Sequence, residues 1–144
     1  MRRTIVATLA ALIAVVLAAC AGRPATNGTL WDALGREAGV GQVIDGTMRR
    51  AHADPTMSDL FRDTDDAYLK ERLLEQICEA AGGGCTYTGL SMEEAHSGMQ
   101  ITDAEFGAFV AHLVAAMDDA KVPKDTQQKL IALLAPMQPQ VVGQ

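Results

Sequence analysis

The sequence predicts one all-α domain. Its 144 residues are enough for one hydrophobic core and too few for two independent ones. Apolar residues recur at helical spacing in several segments, and no segment reads convincingly as a strand. Polar connections that carry glycine or proline separate these segments. We therefore expect two short and four longer helices.

Composition and charge exclude several classes of protein. The net charge is −6, so the chain lacks the basic surface that follows phosphates, and we expect no nucleic-acid partner. Hydrophobic residues make up 49% of the chain, more than a disordered protein carries. No segment recurs at a fixed period, which argues against a repeat protein.

The amino terminus is predicted to be an export signal, residues 1–19, and not part of the fold. Arg2 and Arg3 form a basic head. Residues 4–19 carry no charge, but they are fewer than the roughly 20 residues of a membrane-spanning helix. The signal is therefore expected to be cleaved.

The end of this segment, Leu-Ala-Ala-Cys, resembles the lipobox of bacterial lipoproteins, which implies lipidation of Cys20. The alternative is an ordinary signal cleaved near Ala19. Residues 21 and 22 lack the Asp that retains many Gram-negative lipoproteins in the inner membrane, so in a Gram-negative host we expect an outer-membrane anchor facing the periplasm. The lipid is then the chain's sole membrane contact. Residues 20–29 form a flexible tether, and residues 30–142 form the domain.

The first half of the domain is predicted to contain three helices. Residues 30–38 form the first, with Thr29 as its N-cap and Gly35 or Gly39 at its end. Asp54-Pro55 stops a second helix of about 14 residues, whose buried face has helical spacing: Val40, Val43, Ile44, Thr47, Met48 and Ala51. After a short turn with Met57, Leu60 and Phe61, a third helix starts at Asp65 or Asp66 and ends at Gly82–Gly84; its apolar face holds Leu69, Leu73, Gln76, Ile77 and Ala80.

The second half is predicted to contain a short helix and two longer ones. Ser91, followed by two glutamates, starts the short helix, which ends near Ser97. Thr102 and Glu105 form a capping box for a longer helix. The last helix opens at Val122-Pro123 and runs into Pro136. The longer helix between them has an apolar stripe: Phe106, Phe109, Val110, Leu113, Val114 and Met117.

Cys78 and Cys85 are predicted to form a disulfide. If Cys20 is lipidated, these two cysteines are the ones that remain, and an even number in an oxidising compartment favours pairing. Three consecutive glycines lie between them, so the chain can turn back. Two free thiols are the alternative. A zinc pair is less favoured, because no His or further Cys lies at ligand spacing.

Several motifs, in order, resemble a group 1 truncated haemoglobin over residues 30–142. The opening Leu-Trp-x-x-Leu-Gly (30–35) and the segment from Ala53-Asp54-Pro55 to Leu60-Phe61 both match. The most specific match lies within 82–101: a glycine pair, then Tyr-x-Gly, then Met-x-x-Ala-His, Gly-Met and Ile. Val122-Pro123 and Leu134-Ala135-Pro136 also match. The resemblance implies a two-over-two helical globin that binds b-type haem.

His96 falls on the proximal ligand position of that family, which implies that it holds the haem iron. Globins bind iron through a neutral imidazole nitrogen, while the other ring nitrogen donates a hydrogen bond. Arg72 is implied to reach a haem propionate, with simple solvation as the alternative. The full set of haem contacts that the resemblance implies is Phe61, Leu69, Arg72, Leu73, Tyr87, Met92, His96, Ile101 and Phe106.

The distal side departs from the family pattern. Where many members have Phe-Tyr late in the second helix, this chain has Thr47-Met48. Third-helix positions that often carry pocket amides hold Leu69, Arg72 and Leu73, which leaves Gln76 as the one amide nearby. We therefore expect an apolar distal pocket and a short-lived oxygen complex.

The leading function is reversible binding of oxygen or another diatomic gas such as NO or CO, without enzymatic turnover. A haem enzyme that removes nitric oxide or peroxide is an alternative, which would need an external reductase because no flavin or nicotinamide fingerprint is present. A second alternative is ligation of iron by the Met48 thioether, giving a His/Met electron-transfer site. A third is a haem-free helical lipoprotein.

Overall fold

A computed structural model describes residues 28–144, which contain six α-helices and no strand. The predicted signal (1–19), Cys20 and most of the tether lie outside the described residues. Within residues 28–144, no helix combines the length and the apolar character needed to cross a membrane. The helices are α1 (Leu30–Ala33), α2 (Arg36–Ala53), α3 (Asp66–Ala80), α4 (Met92–His96), α5 (Asp103–Asp119) and α6 (Lys124–Leu134), with 3₁₀ segments at Ser58–Phe61 and Ala135–Gln140.

The junction between α1 and α2 differs from the prediction. Thr29 caps α1 as expected, its hydroxyl accepting a hydrogen bond from the amide of Asp32. The helix ends at Ala33, and Gly35 follows with a φ of +84°, a conformation that favours glycine. A Cβ at Gly39 would lie 2.1 Å from the Leu34 carbonyl oxygen. The two glycines thus permit a tight corner, and α2 begins four residues earlier than the predicted Val40.

Side chains cap α3, α4 and α5, three of the helices that carry the site, as the sequence predicted. The Asp65 carboxylate accepts hydrogen bonds from the first two amides of α3 that follow Asp66. Ser91 and Glu94 form a capping box at α4, and Thr102 and Glu105 form one at α5. These bonds satisfy amides that lack partners within their own helix, so each helix starts at a defined residue.

The core lies where two pairs of helices cross. Helices α2 and α3 form one pair, α5 and α6 form the other, and α2 lies across α5. At this crossing a Cβ on Gly46 would lie only 3.0 Å from the Cβ of Ala116, so the glycine allows close approach. The all-α, two-over-two prediction is confirmed. The largest fully buried side chains include Val40, Val43, Met117 and Leu130.

The connection between α3 and α4 is tied to α3 by a disulfide. Cys78 and Cys85 are joined, with their Cα atoms 5.7 Å apart, and Cys78 is buried. Gly83 lies between, where an added Cβ would meet Sγ of Cys78 at 2.5 Å and the ring of Trp31 at 2.8 Å. The glycine turn therefore brings the indole ring and the disulfide close together.

The last described residues return to the loop between α4 and α5. The Gly143 amide donates to the carbonyl oxygen of Ile101 at 2.9 Å. The Gln100 amide donates to the carbonyl oxygen of Gln144 at 2.8 Å. These bonds hold the start of α5 and the end of α4 against the carboxyl-terminal segment.

Candidate functional site

A cavity of about 520 Å³ opens between α2, α3, α4, α5 and the carboxyl-terminal 3₁₀ segment. That volume is typical of sites that hold a small organic ligand. All nine side chains predicted to contact haem line it: Phe61, Leu69, Arg72, Leu73, Tyr87, Met92, His96, Ile101 and Phe106.

His96 is the only imidazole among the residues that line the cavity, and its ring orientation is fixed. It closes the short helix α4, which the Ser91 capping box starts. Its Nδ1 lies 2.7 Å from the carbonyl oxygen of Met92, one turn earlier. Because a carbonyl only accepts, Nδ1 is the donor in this contact, and Nε2 is the nitrogen left to ligate a metal when the ring is neutral. The half-buried ring thus meets the requirement for a metal-ligating histidine.

Aromatic rings form another part of the lining. Phe61 and Phe109 stack with their centroids 6.1 Å apart, and both line the cavity. The His52 ring meets the edge of Phe61 at 5.9 Å. Since Nε2 of His52 also lies 3.0 Å from the Asp66 carboxylate, this contact links the end of α2 to the start of α3. Phe61 therefore packs between the rings of His52 and Phe109.

The loop before α4 folds Tyr87 along the cavity. The Tyr87 hydroxyl donates to the carbonyl oxygen of Leu90 at 2.8 Å. A Cβ on Gly89 would lie 2.3 Å from that hydroxyl oxygen, so only glycine leaves room for the ring. Burial raises the pKa of Tyr87 above its usual value. The Glu79 carboxylate accepts from the Tyr87 amide at 3.2 Å, which ties the loop to α3.

Arg72 lies in the lining at the edge next to this loop. Its guanidinium pairs with Glu75 at 3.0 Å and with Glu71 at 2.8 Å, and it lies over the ring of Tyr68. Hydrogen bonds from Thr88, first from its amide, lower the pKa of Glu75 and keep the carboxylate charged. The Arg72 side chain is only 16% exposed, so it is not simply solvated. Its buried Nε has no hydrogen-bond partner within the described part of the chain.

The structure corrects the predicted place of Met48. Ile44 and Thr47 line the cavity from α2, and Met48 does not. Met48 is 6% exposed and packs in the hydrophobic core. Adjacent positions on a helix point about 100° apart, and the packing of α2 on α5 turns Thr47 rather than Met48 toward the cavity.

The Gln76 amide has partners that the sequence did not indicate. It lines the cavity, but its amide is directed at Met92 on α4, the helix that carries His96. Gln76 Nε2 lies 3.2 Å from Sδ of Met92 and 3.5 Å from Sδ of Met137. The predicted distal amide therefore contacts the His96-bearing helix, and its hydrogens are directed at two sulfur atoms.

Several lining residues were not singled out as site residues. Met57 was assigned only to a short turn, and Phe109 and Val110 only to an apolar stripe. Met137 and Val141 follow the proline expected to end the last helix. The short 3₁₀ segment after α6 has no helical period that would have marked them. Their positions depend on how the carboxyl-terminal segment folds back over α4.

The residues present fit a haem group. The described residues contain no cluster of three His, Cys, Asp or Glu side chains that could hold a bare metal ion. A lone imidazole suits an iron whose other equatorial ligands come from a porphyrin. The lining is mostly apolar, and the partnerless Nε of Arg72 is a donor suited to a carboxylate. A helical fold with this cavity defines a globin-type haem protein.

The chain belongs to the bacterial-like globin family, whose model matches residues 29–142. It is therefore a haem-binding globin with a haem iron cofactor. It is 31% identical over 119 residues to the group 1 truncated hemoglobin GlbN of Mycolicibacterium paratuberculosis, covering 83% of this chain and 88% of that protein. It is 29% identical over 89 residues to a protein of the same name from a Nostoc species, covering 62% and 75% of the two chains.

Solved structures show the same fold. A truncated hemoglobin from Tetrahymena pyriformis superposes with a TM-score of 0.77 at 21% identity, covering 81% of this chain and all of that one. The 2/2 hemoglobin of a Synechococcus species, solved in the cyanomet state, superposes with a TM-score of 0.72 at 25% identity. The match covers 78% of this chain and 95% of that one.

Proposed function

We propose that this globin binds oxygen or another diatomic gas reversibly at a haem iron that Nε2 of His96 ligates. One observation carries the proposal: the 2.7 Å bond from Nδ1 of His96 to the Met92 carbonyl leaves Nε2 of this cavity-lining ring as the nitrogen available to the iron. When bound, haem iron supplies one open coordination position for the gas. The chain positions the imidazole and keeps the surroundings apolar.

Retention of the gas is proposed to depend little on hydrogen bonding. The Thr47 hydroxyl donates to Val43, and the Tyr87 hydroxyl donates to Leu90. The Gln76 amide is directed at thioethers. Each of these lining groups therefore has its hydrogen committed to another atom. A donor to bound oxygen contributes about 1.5–3 kcal/mol, so its absence predicts faster oxygen release and faster oxidation of the iron.

Arg72 is proposed to hold a haem propionate. Its guanidinium is fixed by Glu71 and Glu75, and Nε remains available beside the cavity. A carboxylate there gains a charge-assisted hydrogen bond to a residue that is already ordered. This contact would orient the haem in the cavity.

The other predicted functions have less support. A His/Met electron-transfer site through Met48 loses its ligand, because Met48 packs in the core. Turnover of peroxide needs a polar acid–base group near the iron, and the hydroxyls of Thr47 and Tyr87 are committed to backbone carbonyls. Turnover of nitric oxide would need an external reductase.

A pyridine haemochrome assay tests the ligand assignment. We expect about one haem for each wild-type chain and little haem in His96→Ala. His112→Ala, which changes an imidazole outside the cavity lining, is the matched control and should keep its haem. Equal haem content in wild type and His96→Ala would contradict the assignment. A wild-type chain without haem would contradict the proposed function as a whole.

We further propose that the protein is exported and anchored by a lipid on Cys20, facing the periplasm from the outer membrane. The basic head, the uncharged segment 4–19 and the lipobox-like sequence support this. The disulfide between Cys78 and Cys85 is typical of an oxidising compartment. Labelled palmitate should enter the wild type and not Cys20→Ser. Wild type that stays unlabelled in a lipoprotein-processing host would refute the anchor.

A further inference from the structure

We infer that Gln76 is a positioning residue that sets the geometry of the iron ligand His96 through Met92. The inference rests on the proposed function, because it takes His96 as the ligand. It assigns Gln76 a role on the side of the haem that His96 occupies, in place of contact with the bound gas.

The first observation is that one amide joins three parts of the fold. Gln76 lies on α3, Met92 on α4 and Met137 on the segment Ala135–Gln140. Nε2 of Gln76 lies 3.2 Å from the first sulfur and 3.5 Å from the second. An amide nitrogen has two hydrogens, so it can donate one to each thioether. All three side chains line the cavity.

The second observation is that Met92 is also the partner of His96. Its carbonyl oxygen lies 2.7 Å from Nδ1 of His96, while its sulfur accepts from Gln76. A path of two hydrogen bonds therefore runs from α3 through one residue to the imidazole. The partner of the second ring nitrogen fixes the orientation of a metal-ligating histidine and raises its basicity.

The third observation is that α4 is a short helix with little buried surface of its own. It has five residues, none of them fully buried, and it packs mainly against the segment Ala135–Gln140. Isolated helices of this length are unstable in water, so single side-chain contacts determine where α4 lies. The Gln76 amide contacts α4 through Met92 and the segment Ala135–Gln140 through Met137.

The sequence context supports the same role. Gln76 occupies a position on the apolar face of α3, between Leu73 and Ile77. A polar side chain among apolar neighbours is disfavoured unless it has a partner. The partners here are thioethers, which are weak acceptors, so the contact fixes position more than it adds stability.

The test is a double-mutant cycle on the ferrous, gas-free holoprotein, read by the iron–histidine stretching band in resonance Raman spectra. Gln76→Leu, which keeps the volume and removes the donor, should shift the band. It should also speed haem transfer to an excess of an apoglobin acceptor, by about tenfold. In a Met92→Leu background, Gln76→Leu should shift the band no further. Gln128→Leu, at an exposed site on α6, is the matched control and should change neither readout.

The outcomes separate the two proposals. A wild-type spectrum without an iron–histidine band overturns the proposed ligand and with it this inference. A wild-type band that Gln76→Leu leaves in place overturns the inference alone, even if the variant melts at a lower temperature. An equal shift in the Met92→Leu background also overturns it. If Gln76→Leu fails to fold, Met92→Leu alone must shift the band, and an unmoved band is decisive against the inference.

Discussion

The hydroxyl oxygen of Thr47 lies 2.9 Å from the carbonyl oxygen of Val43, one turn earlier in α2. Thr47 is 2% exposed and lines the haem cavity, so this bond takes its hydrogen away from the cavity. A threonine that donates to the preceding turn cannot also donate to a bound gas. The wall formed by α2 is therefore apolar in effect, although its sequence contains a hydroxyl.

A new donor in the cavity should slow gas release. Leu73 lines the cavity from α3, and Leu73→Gln places an amide there. A hydrogen bond to the partial negative charge of bound oxygen contributes about 1.5–3 kcal/mol, which predicts oxygen dissociation slower by about tenfold or more. Stopped-flow displacement of oxygen by carbon monoxide measures the rate.

The neighbouring position provides the control for that experiment. Leu74 packs at the edge of the core and is not among the lining residues. Leu74→Gln should leave the oxygen dissociation rate within about twofold of wild type, since its amide is out of reach. If the two variants behave alike, the apolar-pocket explanation fails.

Restoring the family's tyrosine at position 48 should destabilise the protein. Met48 is buried in the core, so Met48→Tyr forces a larger ring with a hydroxyl into a packed site. Overpacking of this kind typically costs about 1–3 kcal/mol. Denaturant unfolding of the holoprotein measures the loss. A stable variant with slower oxygen release would show that position 48 faces the haem after all.

Breaking the disulfide should loosen the loop that carries Tyr87. Cys85 is exposed and Cys78 is buried, so Cys85→Ser removes the link and leaves the buried side chain in place. Closing so short a loop stabilises a fold by about 2–3 kcal/mol in the chain-entropy treatment. Unfolding of wild type with and without a dithiol reductant should show a loss of that size. The reductant should not change the stability of Cys85→Ser. If it lowers the stability of this variant as well, the loss in wild type has another cause.

The turn after α2 should lose stability in acid. Hydrogen bonds from the Thr56 amide and hydroxyl, and then from His112, hold the pKa of Asp54 below its ordinary value of 3.8. A carboxyl with a depressed folded pKa stabilises the fold above its unfolded pKa. That contribution disappears as the pH falls through the folded pKa.

Asp54→Asn should therefore be less stable than wild type near neutral pH and approach it below about pH 4. Chemical unfolding at a series of pH values measures the difference. Asp63→Asn, at an exposed site, is the control. If the difference in the free energy of unfolding between wild type and Asp54→Asn stays constant down to pH 3, the lowered pKa of Asp54 is contradicted.

The helical fold and the starts of several helices could be predicted from the sequence, because capping motifs and apolar spacing are local patterns. Asp65, Ser91 and Thr102 each cap the helix that follows, and a capping motif lies within four residues of chain. The predicted haem contacts likewise follow from an ordered set of motifs, and the structure brings all of them to one cavity. His96 needed the family resemblance, since a lone histidine on a short helix carries little information.

The orientation of single side chains could not be predicted in the same way. Thr47 and Met48 are neighbours in sequence, and which one faces the cavity depends on how α2 rotates against α5. Gln76 was predicted only as the one amide near the distal pocket, and its partner Met137 lies 61 residues further along the chain. Contacts across such separations are set by tertiary packing, which hydrophobic periodicity does not encode.

The close approach of Trp31 to the disulfide, with Gly83 between them, gives the protein an internal optical reporter. Trp31 is the only tryptophan in the chain, so its fluorescence comes from a single place. Disulfides quench a nearby excited indole, as bound haem also does, so in the haem-free protein emission should rise when Cys78 and Cys85 are reduced. The state of this bond can then be followed in an unlabelled sample, with Cys85→Ser giving the unquenched reference intensity.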